Sequence, residues 1–391
     1  MKIKKILALL LCVVMFSVML VSCEQDETQY WLDWYKDNNI GQPVDVENVK
    51  IPLYIIQGDE MSADYNVKKT VNDKINQYLS DKYSTTVEII YLDESKVVEG
   101  NTVDEYANAI ASFSASSTGI VLINSADVME QLSGKLVDLN PYLISSDYAS
   151  AGYGTLNKQI TTSLIKGAKV VENGVEKMYC IPNNHIVGNY EYIVINKAAA
   201  KAQLYAESDL LAMNTWEMTE ELRSALGDSS TGDGVDYADF DPDNAAAVTR
   251  VINAPYAARA EIESYGNIVN ISAYPTVDDD EVYSSAFAVL KGTPLKVDSE
   301  TVLVDYAVYA ERAMQVIYEI NTNETVRNLL QYGVENVNYS IDENGIVKPN
   351  ADKRYDMNLL YTGDIFKALY SEGWTKEDAD YGVLQNKDSE K

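Results

Sequence analysis

The chain has 391 residues, more than one hydrophobic core usually organises, so two domains or lobes are expected. At 46% hydrophobic and 23% charged, with 20 Gly and 9 Pro, it is neither a mostly disordered nor a fibrous chain. The 31 Lys+Arg against 60 Asp+Glu give a net charge of −29, which repels phosphate backbones and excludes nucleic acid as a partner, while one His and three Cys are too few for a zinc site.

Residues 1–22 read as a secretory signal, with Lys2, Lys4 and Lys5 ahead of an apolar run from Ile6 to Val21 broken only by Ser17. The run is short for a membrane span of about 20 residues. Leu20-Val21-Ser22-Cys23 matches the bacterial lipobox, which makes Cys23 the expected N-terminus and lipidation site of a mature chain. That chain keeps 28 Lys+Arg against 60 Asp+Glu, a net charge of −32, and retains Cys180 alone for thiol chemistry, so no intrachain disulfide is expected.

Residues 23–48 read as a polar, acidic tether. Within it Tyr30-Trp31-Leu32-Asp33-Trp34-Tyr35 puts four aromatics in six residues, either a short helix docked on the body or a partner-binding patch. From Lys50 strands and helices alternate. Ile51 to Ile56 is a strand and 57–64 a loop. Val67, Val71, Ile75 and Leu79 recur at helical spacing, and Thr86 to Tyr91 is the next strand, a unit that implies a parallel pair with a right-handed crossover.

Gly119 to Asn124 reads as a further strand, and Ser125 caps a helix from Ala126 to Leu132. Glu191 to Asn196 is a strand feeding an Ala-rich helix, and Asn214 or Thr215 caps the helix opened by Trp216-Glu217. Asp241-Pro242 reads as a cap with proline at the first helical position, and Val302 to Ile320 as a long helix. Asn344-Gly345 reads as a hairpin turn. The class is α/β.

No nucleophile elbow, P-loop or dinucleotide fingerprint occurs. Cys180 and His185 lie close in sequence, but a lone Cys at the end of an Ile-Pro strand is most simply a buried small apolar side chain. The acidic stretch 233–243 fails as a calcium loop because Asn244 and Arg250 stand where Gly and a bidentate Glu belong, and 278–281 reads as an exposed turn. No pair among the sixty acids is singled out by spacing for glycoside hydrolysis.

The chain has 29 Tyr against 5 Phe. A tyrosine offers a flat apolar face with a polar edge, suited to sugars and to peptides alike. Tyrosines mix with Asn and Glu in two segments, 183–192 and 332–339. There Met178-Tyr179-Cys180-Ile181-Pro182 followed by Tyr192-Ile193-Val194-Ile195-Asn196-Lys197 resembles the "iYGiP … lyyNK" segment of the sugar-type (family 1) extracellular solute-binding proteins of ABC importers, with Cys180 in place of Gly. Thr215-Trp216-Glu217 is similar to their "TW-x-E" helix start. Asn328 to Tyr339 is similar to the "nLlqYGiEGvhY" segment of a lipoprotein branch, with Asn336 in place of Gly, and Tyr361-Thr362-Gly363 with Trp374 resembles that branch's tail.

The resemblance implies a periplasmic-binding-protein-like (type II) α/β fold: a two-lobe Venus-flytrap with an interlobe cleft. Residues 49–185 plus 284–325 would form the first lobe and 186–283 plus 326–385 the second. Crossings would fall near 185–188, 283–290 and 323–327. It implies no catalytic residue, metal or cofactor. The partners it implies are a small solute, a sugar or oligosaccharide first, and the membrane subunits of an ABC permease, with a lipid-held monomer expected on an extracytoplasmic surface, of Gram-positive type from the tether and the lack of disulfides.

The implied ligand contacts are Asp59, Asp64, Asn183, His185, Tyr190, Tyr192, Trp216, Tyr332, Glu335 and Tyr339. Each has a plain structural reading: helix caps for Asp59 and Asp64, a hydrogen-bonded hinge residue for His185, core packing for Trp216. Tyr190 and Tyr192 share one strand face, core or cleft, and Tyr332 and Glu335 are as easily structural. A peptide or cationic solute, a glycosidase-like enzyme and an adhesive lipoprotein are the other readings.

Overall fold

The computed structural model describes residues 44–58, 61, 64–197, 205–226, 235–236, 249–297 and 300–389, with Asp33, Lys36 and Asp37 singly. The expectations for the signal, Cys23, the aromatic run 30–35, Asp59, the Ala-rich helix after Asn196 and the Asp241-Pro242 cap lie outside them.

Strand β1 (Val49–Ile56) buries Val49, Ile51, Leu53 and Ile55 by strict alternation. Helix α1 (Tyr65–Tyr83) starts at Asp64, whose side chain accepts from the N–H groups of Asn66 and Val67, and buries Val71, Ile75 and Leu79. It leads to β2 (Thr85–Leu92), parallel to β1 in unbroken register from Val49↔Thr85 to Ile56↔Leu92. This is the expected β-α-β unit. β2 does not present a bare edge: Asn76 on α1 exchanges both its amide groups with the Val87 backbone, and Asn72 accepts from Ile89 N–H at 2.9 Å.

After a small hairpin, β3 (Lys96–Val98) and β4 (Asn101–Val103), comes helix α2 (Glu105–Ser112). β5 (Thr118–Ile123) runs parallel to β1, and Ser125 caps α3 (Ala126–Gln131) as expected. Helix α4 (Thr162–Gly167), the hairpin of β6 (Lys169–Glu172) with β7 (Val175–Met178), and β8 (Cys180–Pro182) follow. Much later in the chain β13 (Ala286–Lys291) joins this sheet antiparallel to β5 and β8, and β14 (Pro294–Val297) joins β1 and carries β15 (Glu300–Leu303). The result is a seven-stranded mixed sheet.

A second, four-stranded sheet has β9 (Tyr190–Asn196) and β11 (Thr249–Ala254) at its centre, with β10 (Val235–Asp236) and β12 (Asn267–Ala273) outside. It has its own cores. Tyr190, Tyr192, Val194 and Ile252 pack on one face with Ala258 and Ile262 of helix α7 (Ala258–Ser264). Ile193, Ile195 and Val251 pack on the other with Leu210 of α5 (Glu207–Ala212) and Leu222 of α6 (Trp216–Leu226). Thr215 supplies the cap of α6, accepting from Met218 N–H at 3.3 Å.

The chain crosses from the first sheet to the second between β8 and β9, over 183–189, and returns between β12 and β13, over 274–285. The return precedes the expected 283–290, because Ala286 to Lys291 are already paired to β5. The acidic run at 278–281 is the start of helix α8 (Asp279–Tyr283), capped by Asp278, rather than a free turn.

Helix α9 (Tyr306–Thr322) is capped by Asp305 and begins four residues later than expected from Val302, because Val302 and Leu303 pair in β15. Asn323 caps helix α10 (Glu324–Tyr332), and the Asn344-Gly345 turn joins β16 (Tyr339–Ile341) to β17 (Val347–Pro349). Residues 326–385, expected with the second lobe, divide otherwise: Val326, Leu330, Tyr355 and Met357 bury into the first core, where the apolar face of α10 meets α1. The final helix α11 (Lys376–Asp388), opened by a capping box of Thr375 and Asp378, bonds to Thr161 on the side of the first sheet and to Tyr190 and Tyr256 on the side of the second. Two α/β lobes, each with its own sheet and joined by paired crossings, form a periplasmic-binding-protein-like architecture.

Candidate functional site

The parallel strands β1, β2 and β5 end on the edge where ligands of open α/β sheets bind, and the end of β5 lies beside the two crossings, with Ala286 paired to both Ile123 and Pro182. The crossings run next to each other. Asn183 donates from its backbone to Ser285 O at 2.9 Å and from its amide to Ser285 Oγ at 2.8 Å and Leu360 O at 3.0 Å. Its buried Oδ1 has no partner among the described residues. Gly188 has φ +59°, and a Cβ there would stand 2.7 Å from Thr276 O, so a side chain would push the crossings apart. Gly188 N–H donates to the Glu281 carboxylate at 2.6 Å. Burial raises that carboxyl above its ordinary range, and the Gly188 bond opposes the rise.

His185 is buried on the first crossing, with Nδ1 2.7 Å from Asn183 O and Nε2 3.5 Å from Ser284 Oγ. Burial lowers its pKa, so it sits neutral between the crossings as a structural tie. Asn184 fixes the first-lobe side, accepting from Thr161 N–H and Oγ1 and donating to Gln159 O.

The end of α11 clasps this junction. Gln385 donates to Val187 O and Gly188 O and accepts from Tyr256 N–H, which belongs to the second sheet's connection. Asn386 donates to His185 O at 2.7 Å and to Thr161 Oγ1 at 2.8 Å while accepting from Val187 N–H at 3.0 Å. Two adjacent amide side chains therefore hold the crossing strand on both its polar edges.

Immediately beyond, Tyr190 and Tyr192 stack at 5.3 Å with rings 18° apart. Tyr256 and Tyr274 lie 5.8 and 6.2 Å from Tyr190, and Tyr381 of α11 lies 5.5 Å from Tyr256. Tyr190 donates to Asp388 at 2.7 Å; the buried Tyr192 hydroxyl has no partner among the described residues. Both phenols are held protonated, by burial first and for Tyr190 by Asp388 as well.

The other expected contacts fall elsewhere. Asp64 caps α1 and is exposed. Trp216 packs half-buried on the opposite face of the second sheet. Tyr332 and Tyr339 form a separate small core with Val347, and Glu335 is exposed. The structure thus brings together Asn183, His185, Tyr190 and Tyr192 along one stretch and leaves Trp216, Tyr332, Glu335 and Tyr339 apart from it. Cys180 is buried in β8 with its thiol pushed up to about 12 by burial, in keeping with an inert apolar role. Sequence reasoning missed Glu281, Gln385 and Asn386; polar residues in an acidic run and a charged terminal helix give no periodic signal. Among the described residues no His/Cys/Asp/Glu group is placed to hold a metal, and no helix is long and apolar enough to cross a membrane.

No family model and no curated protein matches the chain. Solved structures of extracellular solute-binding proteins do. The N-glycan transport solute-binding protein NgtS of Streptococcus pneumoniae is 14% identical, with a TM-score of 0.48 over 86% of this chain and 82% of that one. An extracellular solute-binding protein of Bifidobacterium longum subsp. infantis is 12% identical, with a TM-score of 0.42 over 90% and 82%. A family 1 protein of Alicyclobacillus acidocaldarius is 10% identical, with a TM-score of 0.39 over 90% and 87%.

Proposed function

We propose that the protein is an extracytoplasmic solute-binding protein, lipid-anchored through Cys23, that captures a carbohydrate between its lobes and delivers it to an ABC permease. The observation that carries this reading is the junction: two crossings side by side, paired through Asn183–Ser285 and Gly188–Glu281, between sheets with separate cores. A joint of this kind lets one sheet rotate against the other by small backbone changes while each core stays intact. A ligand touching both lobes then stabilises the closed form by its differential affinity. The carbohydrate class rests on the sequence resemblance and on the tyrosines that follow the crossing. The moving units would divide at 183–189 and 274–285, and no catalytic chemistry is assigned to the site.

The test is small-angle scattering and thermal shift on residues 24–391 with neutral oligosaccharides, short peptides and polyamines. A sugar that both raises the midpoint and shrinks the radius of gyration supports the reading. Compaction by peptides or polyamines alone would reassign the solute, and no compaction by any class would remove hinge closure. Replacing Cys23 with Ala should release the exported protein from the membrane; retention would refute the anchor.

A further inference from the structure

In so acidic a chain many lysines stand beside a carboxylate, as Lys69 does with Asp73, Lys82 with Glu319, Lys96 with Glu105 and Lys376 with Asp380. Lys158, Lys367 and Lys387 do not: none of them is in an ion pair among the described residues. The fold nevertheless brings all three to the lining of one open pocket of about 350 Å3. That volume lies within the about 300–1,000 Å3 of small-ligand sites. The three come from separate segments. Lys158 precedes α4, Lys367 follows α10 and Lys387 lies in the last turn of α11.

The lining holds three cations against one anion, Asp364, in a chain whose net charge is −29. Asp364 is 4% exposed, and its Oδ1 accepts from Phe366 N–H at 3.0 Å. Like charges gathered from distant segments repel one another, and a multivalent counter-ion among them relieves that repulsion.

The residue types narrow the ligand. An ammonium group acts on an oxyanion as a point charge, and three of them suit the charge of about −1.5 to −2 on a phosphate monoester. No arginine lines the pocket, so the planar fork that favours a lone carboxylate is missing from it. Gln159 adds an amide donor, and Ile160, Phe366 and Val383 add an apolar wall for an organic body. The net charge of the chain repels an anionic membrane surface or a polynucleotide, which leaves a small soluble phosphate.

We infer that this pocket binds a soluble phosphate monoester through Lys158, Lys367 and Lys387. The bound phosphate ties the end of α11 to the first lobe. There Asn386 donates to Thr161 Oγ1 at 2.8 Å, and the Ser389 and Ser163 hydroxyls lie 2.9 Å apart. Asn386 also accepts from Val187 N–H on the crossing, so the anion steadies the clasp on the joint. Phosphate binding needs no solute between the lobes, and it stands or falls apart from carbohydrate capture.

The experiment is calorimetric titration of residues 24–391 at pH 8 and low salt with inorganic phosphate and glycerol 3-phosphate, against glycerol and acetate. It is repeated on Lys158→Gln, Lys367→Gln, Lys387→Gln, Asp364→Asn and, as a control on the exposed face of α1, Lys74→Gln. Both phosphates should bind, about fivefold more weakly to each of the three pocket variants, more tightly to Asp364→Asn and unchanged to Lys74→Gln. Absence of phosphate binding, acetate binding of equal strength, or an equal loss in all four lysine variants would overturn the site. Saturating glycerol 3-phosphate should also slow hydrogen exchange at Val187. Binding with exchange unchanged overturns the hold on the joint and supports the pocket alone. No sugar enters these measurements, so failure of the lobes to close on a carbohydrate leaves their outcome untouched.

Discussion

The centre of the first sheet and the junction beside it are equally dry but are held by opposite means. Val49, Ile51, Leu53, Ile120, Val121 and Leu122 are at most 1% exposed and have only aliphatic side chains. At the junction the buried groups are Asn183, Asn184, His185, Arg327, Asp364, Gln385 and Asn386, each bonded to backbone or to another side chain. Apolar packing is non-directional and tolerates repacking, whereas a buried amide is satisfied in one geometry and costly in any other. The contrast is what the proposed hinge would need: lobes that keep their shape by packing, and a joint set by the geometry of its hydrogen bonds.

The sharpest way to break the polar side is Arg327→Met. Arg327 is fully buried and donates to Asp364 O, Leu359 O, Asn328 Oδ1 and Gln331 Oε1. Its removal takes a donor from each of the four and leaves Gln331 Oε1 with none among the described residues, and should cost about 3 kcal/mol in denaturant unfolding; a loss under about 1 kcal/mol would mean that the bonds are not made. On the apolar side Ile51→Ala should cost about 3 kcal/mol as a cavity, and Ile51→Val should recover most of it. The same conservative rescue should fail at the junction.

Asn386→Ala removes two bonds to the crossing strand and one to Thr161, and should cost about 2 kcal/mol. It should also raise hydrogen exchange at Val187 more than anywhere in β1, β5 or β13; uniform exchange would refute a local clasp.

The smallest effect turns on pH. Burial pushes the Asp364 carboxyl up to about 6, against bonds and charges from Phe366 N–H, Lys367, Arg327 and Asn184. A raised acid favours the native state when protonated, so stability from this group is full below the unfolded value of about 4 and is lost as pH rises through 6. Asp364→Asn, which can still cap Phe366, should therefore add about 2 kcal/mol at pH 8 and little at pH 4. His185 works the other way: its lowered pKa gives stability present above about 6.5 and lost as pH falls below it. The Asn variant, with the opposing term removed, should show a steeper acid loss than the wild type. Parallel pH profiles would refute the Asp364 assignment, and an Asp364→Asn variant without acid loss would refute that of His185.

The β-α-β unit, the α3 cap, the strand at 190–196 and the hairpin at 344–345 were legible because each depends on local spacing. The placement of 326–385 was not, since the apolar face of α10 is the same whichever lobe it meets. The site residues divide likewise. Tyr190 and Tyr192 share a face by strand parity alone, and the structure shows that face covered by α7 and the end of α11. Lys158, Lys367 and Lys387 carry no spacing signal, and their pocket depends on how three segments far apart in the chain meet, a contact that sequence does not announce.

The burial of Cys180 has a practical consequence. With its thiol inaccessible and held protonated, a chain starting after Cys23 is chemically silent towards thiol reagents at neutral pH. A cysteine introduced on each lobe, at exposed Tyr65 and exposed Tyr265 for instance, would accept a spectroscopic label without first stripping the native sulfur. The molecule is thus ready-made for measuring the distance between its halves, in solution and one molecule at a time.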